Sequence, residues 1–185
     1  FTIDPKSQSA ARSFEHKLVV RHTDFQMALD NVNVSIQDIY RQLAMNAKRN
    51  QIILNDVIQA LDEKRSPIIL TERRDHLEYF AENLKGLTRN LIVLQGGMKA
   101  KERRDAVARL TTIPKSEERL VLATGRFIGE GFDDARLDTL FLALPVSWKG
   151  TLVQYAGRLH RKYHGKTEVR VMDYVDSHVP MLARM

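Results

Sequence analysis

The sequence predicts an α/β fold, a doubly wound and mostly parallel sheet with helices on both of its faces. From Pro67 onwards, short apolar runs alternate with segments that have the periodicity of amphipathic helices. The apolar runs are continuous and do not alternate with polar residues, which is typical of strands buried on both faces of a parallel sheet. This succession of strands and helices is the pattern of a sheet with covering helices.

The first 66 residues are predicted to form a lead-in strand and a helical insertion that packs on the rest of the domain. Residues 1–13, with proline and several Ser and Gln residues, are expected to be extended, and a short strand is predicted at 15–21. Residues 35–38 have the pattern of a capping box at a helix start. Apolar residues then recur at helical spacing, and we expect two helices with a joint near residues 46–50.

Residues 67–185 are predicted to form the α/β domain itself. The continuously apolar runs predict strands at 67–70, 90–95, 119–124, 139–144 and 168–174. Apolar residues three and four positions apart predict helices at 77–84 with an end at Gly86, at 99–110 and at 151–163. Ligands of such sheets collect at the carboxyl ends of the strands, so the loops that follow the strands are the candidates for chemistry.

The composition favours an anionic partner. The 185 residues include 29 Lys and Arg against 23 Asp and Glu, a net charge of +6, which suits nucleic acid or an anionic membrane surface. There is no cysteine, which excludes disulfides and thiolate zinc sites. No apolar run approaches the roughly 20 residues that span a bilayer. We expect a cytoplasmic protein that enters no membrane and holds no metal of its own, and, because the chain begins at Phe1, a part of a longer protein.

Two loops offer groups that suit a phosphodiester backbone. The loop after 90–95 contains Gly96 and Gly97 and leads into a basic helix start with Lys99, Lys101, Arg103 and Arg104. Backbone N–H groups at a helix start and clustered cations together form an anion site. The loop after 67–70 begins Thr71-Glu72-Arg73-Arg74. The alternatives stay open, a solvated basic helix behind a Gly-Gly turn in the first loop and an ordinary helix cap in the second.

A third loop is rich in glycine. It follows residues 119–124 and contains Gly125, Gly129, Glu130, Gly131 and Asp133. It is not a dinucleotide-binding fingerprint, because no helix opens where that motif requires one. Its glycines serve either a turn with positive φ or a backbone that approaches a ligand closely. In the second case Asp133 is available to accept a ribose hydroxyl.

The predicted helix at 151–163 has two chemically different faces. Gln154, Arg158 and Arg161 follow the spacing i, i+4 and i+7 and share one face, opposite an apolar stripe. Two guanidinium groups on one face suit phosphate oxygens, and Gly157 beside them lets another surface approach closely. A solvated basic face is the alternative.

The sequence lacks the parts that hold a nucleoside triphosphate. Gly165-Lys166-Thr167 resembles the end of a phosphate-binding loop, but His160 stands where that motif requires glycine, and a strand follows in place of a helix. No Asp-Glu pair ends an apolar strand, where it would hold Mg²⁺. We therefore expect no hydrolysis of ATP by this chain alone.

Taken in order, four segments resemble motifs IV, IVa, V and VI of superfamily 2 helicases. They are residues 67–74, Gln95-Gly96-Gly97, the run 123–133 and the pattern Gln154-x-x-Gly157-Arg158-x-x-Arg161. The resemblance covers roughly residues 67–175. It implies the second RecA-like domain of a two-domain motor, the half that lacks the Walker A and Walker B motifs.

The resemblance also implies roles for individual residues. Arg161 matches an arginine finger that acts on the γ-phosphate, and Arg158 and Gln154 match contacts to the same phosphate region. The positions that match contacts to the nucleotide are Gly129, Gly131 and Asp133. The implied contacts to the nucleic-acid backbone are Thr71, Glu72, Arg73, Gly96, Gly97, Lys99, Thr124, Gly125 and Arg126.

The resemblance further implies a ligand and two partners. The ligand is ATP with Mg²⁺, both held mainly by an N-terminal RecA-like domain of the same full-length chain. The other partner is nucleic acid. We expect DNA, because motif VI begins with Gln154 and looks closer to restriction-subunit and repair helicases than to DEAD-box RNA helicases, whose motif starts with His-Arg. The alternative is a non-catalytic nucleic-acid-binding module that keeps the same fold.

Overall fold

A parallel sheet organises the part of the chain that the computed structural model describes, which is residues 14–27, 34–125, 134–146, 157 and 159–182. In chain order its elements are β1 (Glu15–His22), α1 (Ile36–Met45), α2 (Ala47–Asp62), β2 (Pro67–Thr71), α3 (Arg74–Leu84), β3 (Leu91–Leu94), α4 (Ala100–Thr112), β4 (Leu120–Thr124), β5 (Thr139–Leu142) and β6 (Glu168–Val175).

The sheet has the strand order β1-β6-β5-β2-β4-β3, and every pair of neighbours runs parallel. The predicted fold class is therefore confirmed. Because the strands all point the same way, their ends form two opposite edges, which we call the carboxyl edge and the amino edge. At the carboxyl edge Thr71 lies beside Thr124, where β2 and β4 end.

Helices cover both faces of the sheet, as the continuously apolar strands predict. α2 and α3 lie on one face, where Ile53 and Phe80 share an apolar cluster with Phe141. α4 lies on the other face, where Leu110 belongs to a cluster with Ile68. β2, β4 and β5 are buried along their whole length. No helix in the described ranges is long and apolar enough to cross a membrane.

The first 66 residues contribute to this same sheet. β1 pairs with β6 over all 8 of its residues, and α2 supplies part of one covering layer. α1 packs near the carboxyl edge, where Tyr40 meets Leu144. The joint between α1 and α2, predicted near residues 46–50, lies at Asn46, whose side chain accepts a hydrogen bond from the backbone N–H of Arg49 at 2.8 Å. A domain boundary at residue 66 stays a prediction.

The helix that was expected to contain Arg161 ends before that residue, so this part of the prediction is wrong. Gly157 and Leu159 are helical, but His160 lies in a turn and Arg161 in a bend. The N–H of His160 bonds to the carbonyl of Gly157 at 3.3 Å, which tightens the last turn. The ammonium group of Lys166 then donates to the carbonyls of Leu159 and Arg161 and caps the helix end.

The segment Gly165-Lys166-Thr167 forms a turn and no phosphate loop. Gly165 has a φ of +86°, and the chain turns there into β6. The Lys166 ammonium also donates to the carbonyl of Leu137 at 2.7 Å, and burial lowers its pKa. Lys166 thus joins the start of β6 to the helix end before it.

Candidate functional site

The loop after β3 is tied to the end of β4 and to the start of α3. The backbone N–H of Gly96 donates to the hydroxyl of Thr124 at 2.9 Å, and the carbonyl of Gly96 accepts from the Arg74 guanidinium at 2.6 Å. One residue therefore connects three loops of the carboxyl edge. The structure brings Thr71, Gly96 and Thr124 to this edge together, as the sheet topology requires.

Two observations favour glycine at position 97. Its φ is +86°, in the left-handed region that favours glycine. A β-carbon at this position would also overlap the guanidinium of Arg74, the group that holds Gly96. A side chain at residue 97 would therefore disturb the connection between the loops.

Thr71, at the end of β2, is held by a buried relay of hydrogen bonds that the sequence pattern does not predict. Its hydroxyl lies 3.1 Å from Nδ1 of His76, and Nε2 of His76 lies 2.9 Å from Oδ1 of Asn50. The amide nitrogen of Asn50 donates to the carbonyl of Ala44 at 2.7 Å. Thr71, His76 and Asn50 are all almost completely buried.

The chemistry of the relay fixes the direction of each hydrogen bond. Because the Ala44 carbonyl only accepts, Asn50 presents its nitrogen to that carbonyl and its oxygen to His76. His76 therefore donates from Nε2, and its Nδ1 accepts the hydroxyl hydrogen of Thr71. Burial, with the charge of Arg49 as a second cause, lowers the pKa of His76 to about 3, so the imidazole is neutral near neutral pH. The hydroxyl hydrogen of Thr71 is thus committed inside the protein.

The two residues after Thr71, Glu72 and Arg73, differ in their partners. The backbone N–H of Arg73 points at the Thr71 hydroxyl oxygen at 3.4 Å, and the Arg73 guanidinium pairs with Asp75 at 2.6 Å. Glu72 is exposed, and the desolvation caused by neighbouring atoms raises the pKa of its carboxyl group. The side chains of Thr71 and Arg73 are therefore already engaged, and their contacts to nucleic acid stay predictions.

The basic cluster at the start of α4 lies at the same edge, because β3 ends just before it. Lys99 is the N-cap residue, and its backbone N–H donates to the Glu102 carboxylate at 3.0 Å. The side chains of Lys99, Lys101 and Arg104 are exposed. A helix start with several cations attracts an anion, and the Glu102 carboxylate offsets part of that attraction.

A buried ion pair supports the end of β5. Nε of Arg49 donates to Asp176 at 2.9 Å, and Nη1 of Arg49 donates to the carbonyl of Ala143 at 2.6 Å. The Thr23 hydroxyl donates to the same Asp176 carboxylate. β5 ends at Leu142, two residues before its predicted end, because the Ala143 carbonyl bonds to Arg49 and not to a neighbouring strand.

Arg161 lies apart from the carboxyl edge. Its side chain is exposed, and its carbonyl accepts from Lys166 at 3.0 Å. The same ammonium group reaches the carbonyl of Leu137, two residues before β5 begins, so the main chain of Arg161 lies toward the amino edge. The structure does not place Arg161 with Thr71, Gly96 and Thr124.

The other predicted site residues have no described environment, and their roles stay predictions. Those outside the described residues are Arg126, Gly129, Gly131, Asp133, Gln154 and Arg158. Gly125 is described, is buried and directly follows β4.

Comparison with known sequences identifies a family and two relatives. The family model described as helicase conserved C-terminal domain matches residues 48–163. Transcript termination protein A18 of Yaba monkey tumor virus is 25% identical over 174 residues, which cover 93% of this chain and 34% of that protein. The protein of the same name from Yaba-like disease virus is 26% identical over 146 residues, 77% of this chain and 30% of that protein. The chain thus spans about a third of these relatives.

Solved structures share the fold. T4 UvsW superposes with a TM-score of 0.67 at 20% identity, over 89% of this chain and 33% of that chain. The SWI2/SNF2 ATPase core domain of Sulfolobus solfataricus superposes with a TM-score of 0.61 at 14% identity, over 94% and 42%. The C-terminal part of the Fun30 ATPase domain gives 0.57 at 15% identity, over 71% and 43%.

Proposed function

We propose that this chain, which belongs to the family of helicase conserved C-terminal domains, is the C-terminal motor half of an ATP-dependent superfamily 2 DNA helicase or translocase. The observation that carries the proposal is the connection of three loops at the carboxyl edge through Gly96, in a domain of this family. The fixed loops and the basic start of α4 together suit a phosphodiester backbone.

The proposed track reads no bases. Its candidate contacts are glycine backbone, exposed lysines and the ends of two strands, which are groups that position phosphates and carry no sequence information. Because Thr71 gives its hydroxyl hydrogen to His76, we assign it the task of holding the loop. The phosphate contacts then fall to backbone N–H groups and to the cations of α4.

The nucleotide belongs to a second surface. We propose that ATP and Mg²⁺ are held mainly by an N-terminal RecA-like domain of the same full-length protein and that Arg161 reaches the γ-phosphate from this domain. The exposure of Arg161 and its separation from the carboxyl edge both suit a contact across a domain interface. The described ranges contain no group of three metal-ligating side chains, so we propose none of their residues as a Mg²⁺ ligand.

Substitution of Arg161 in the full-length protein tests this function. Arg161→Ala is expected to lower DNA-stimulated ATP turnover by about 10³ to 10⁵, because an arginine finger stabilises charge that develops in the transition state. The melting temperature should change little, since the side chain is exposed. Arg161→Lys should restore little turnover, because a point charge does not replace the planar fork.

The neighbouring exposed lysine provides the control. Lys162→Ala removes a positive charge from the same segment and is expected to keep turnover near that of the unmodified protein. Wild-type turnover in Arg161→Ala would show that the arginine finger is wrongly assigned, whereas a full-length protein without DNA-stimulated ATP turnover would favour the non-catalytic binding module. A large fall in melting temperature would instead show that Arg161 is structural. DNA and RNA strands of one sequence, compared as activators, test the choice of nucleic acid.

A further inference from the structure

A groove of about 720 Å³ runs along the amino edge, opposite the candidate site. We call it the amino-edge groove. Several of its lining residues come just before strands. Ser66 directly precedes β2, Asp138 directly precedes β5, and Glu118 lies two residues before β4. β2 is 5 residues long, so about 15 Å separates the groove from the carboxyl edge.

The groove carries an excess of uncompensated positive charge. Its lining contains six Lys and Arg side chains against four carboxylates. Among the described residues, Lys64, Arg89 and Lys115 form no ion pair with any carboxylate, and all three are exposed. The Lys115 ammonium lies 5.8 Å from the centre of the Tyr163 ring.

Three of the four lining carboxylates are already engaged by neighbouring groups. Glu117 accepts from the side chain of Asn90 at 3.1 Å, and Glu118 accepts from the backbone N–H of Arg89 at 3.0 Å. Asp138 accepts from the backbone N–H of Ser66 at 3.1 Å. The fourth lining carboxylate is Asp62, and the six cations of the lining exceed the four carboxylates by two.

A second cavity of about 270 Å³ adjoins the groove and shares Lys115, Arg136 and Tyr163 with it. Its walls include the apolar side chains of Val107, Leu110 and Ile113. Two buried donors beside it, the Tyr163 hydroxyl and Nε of Arg119, have no hydrogen-bond partner among the described residues. The residue Arg119 is only 2% exposed. This cavity therefore combines apolar walls with polar groups that remain unsatisfied.

The wall between the two cavities is held in place before any partner binds. The Arg136 guanidinium donates to the carbonyls of Ile113, Pro114, Lys115 and Glu117. One side chain thus orders the whole connection from α4 to β4. An ordered wall lowers the entropy that binding costs.

We propose that the amino-edge groove binds an acidic peptide segment of a partner protein. The carboxylates of this peptide lie against Lys64, Arg89 and Lys115, and one apolar side chain of the peptide enters the cavity beside Tyr163. A peptide fits better than a nucleic acid, because a phosphodiester has no apolar side chain for the cavity beside Tyr163. The proposal is independent of the motor function.

Fluorescence anisotropy with the full-length protein tests the proposal. The probe is a fluorescein-labelled peptide of nine residues, one central leucine with four glutamates on each side. The combined variant Lys64→Glu, Arg89→Glu and Lys115→Glu is expected to weaken binding of this probe at least tenfold. Lys48→Glu, which changes an exposed lysine of α2 outside the groove, should leave the affinity unchanged.

Changes to the probe test the apolar cavity without changing the protein. Replacement of the central leucine by serine should weaken binding about fivefold or more. Equal binding of the leucine and serine probes would overturn the proposal, since charge alone would then explain the affinity. Equal loss of affinity in Lys48→Glu, or full competition by a 20-nucleotide thymidine strand for this probe, would also overturn it. Thermal melts of both variants verify that the fold is kept.

Discussion

The two edges of the sheet differ in whether their polar groups are paired. At the carboxyl edge the groups are paired with one another, Thr71 with His76 and Gly96 with Thr124. At the amino edge three cations have no carboxylate partner within the described residues, beside a groove of about 720 Å³. The difference shows how one sheet presents a fixed surface and an open surface. A track for a regular backbone needs fixed positions, whereas a docking groove needs volume and unpaired charge.

The largest effect on the free energy of unfolding is expected at the carboxyl edge, from the buried ion pair of Arg49 and Asp176. Arg49→Met leaves the Asp176 carboxylate buried without its partner and should lower the free energy of unfolding by about 3 to 5 kcal/mol. Urea unfolding measures the change. Adding Asp176→Asn, which removes the stranded charge, should restore a large part of the loss. A loss below about 1 kcal/mol in Arg49→Met would show that the carboxyl edge does not depend on this pair.

The second largest effect is expected to be a pH dependence of stability at the carboxyl edge, where His76 is buried. Because the pKa of His76 is lowered from 6.5 to about 3 in the folded protein, the unfolded chain binds a proton there that the folded protein excludes. The stability from the neutral imidazole is complete above about pH 6.5 and is lost as the pH falls toward 3, by about 1.4 kcal/mol per unit.

From about pH 7 to about pH 4.5 the expected loss from His76 is therefore about 2 to 3 kcal/mol. His76→Gln carries no titratable group, so its stability should fall less steeply over this range than that of the unmodified protein. Urea unfolding at several pH values gives both slopes. Identical slopes would mean that the imidazole does not remain neutral in the folded state.

A smaller effect on stability is expected at the amino edge. Lys166→Met removes the donor to the carbonyls of Leu137, Leu159 and Arg161 and should cost about 1 to 2 kcal/mol of stability. The same change should lower ATP turnover in the full-length protein, because it releases the segment that carries Arg161. Lys162→Met, at an exposed position nearby, is the matched control for both measurements. Unchanged turnover in Lys166→Met would show that Arg161 does not depend on Lys166 for its position.

The sequence predicted the sheet well because the relevant signals are local. Continuous apolar runs predicted β2 and β4 within one residue at each end, and Asn46 marked the joint between two helices. The His76 relay was missed because it depends on Asn50, 26 positions away in the chain. A signal was present, since Asn50 shares a helix face with Ile53 and Val57. A polar residue on an apolar face indicates a buried partner but does not identify it.

The end of the Arg161 helix was misjudged for a similar reason. Its apolar periodicity continues to Tyr163, but the chain must turn to enter β6, and the Lys166 ammonium closes the helix near Leu159. Periodicity records which residues are apolar and does not record a cap supplied by a later residue.

The central claim is that nucleic acid binds the carboxyl edge and not the amino-edge groove. It is tested most directly by the salt dependence of DNA affinity in two variants of the full-length protein, measured with the same labelled strand. Ala at Lys99, Lys101 and Arg103 is expected to make the negative slope of log affinity against log salt shallower by about 2 to 3, since each lost phosphate contact removes about 0.7 to 0.9. Ala at Lys64, Arg89 and Lys115 is expected to leave the slope unchanged. A shallower slope in the second variant with an unchanged slope in the first would contradict the claim.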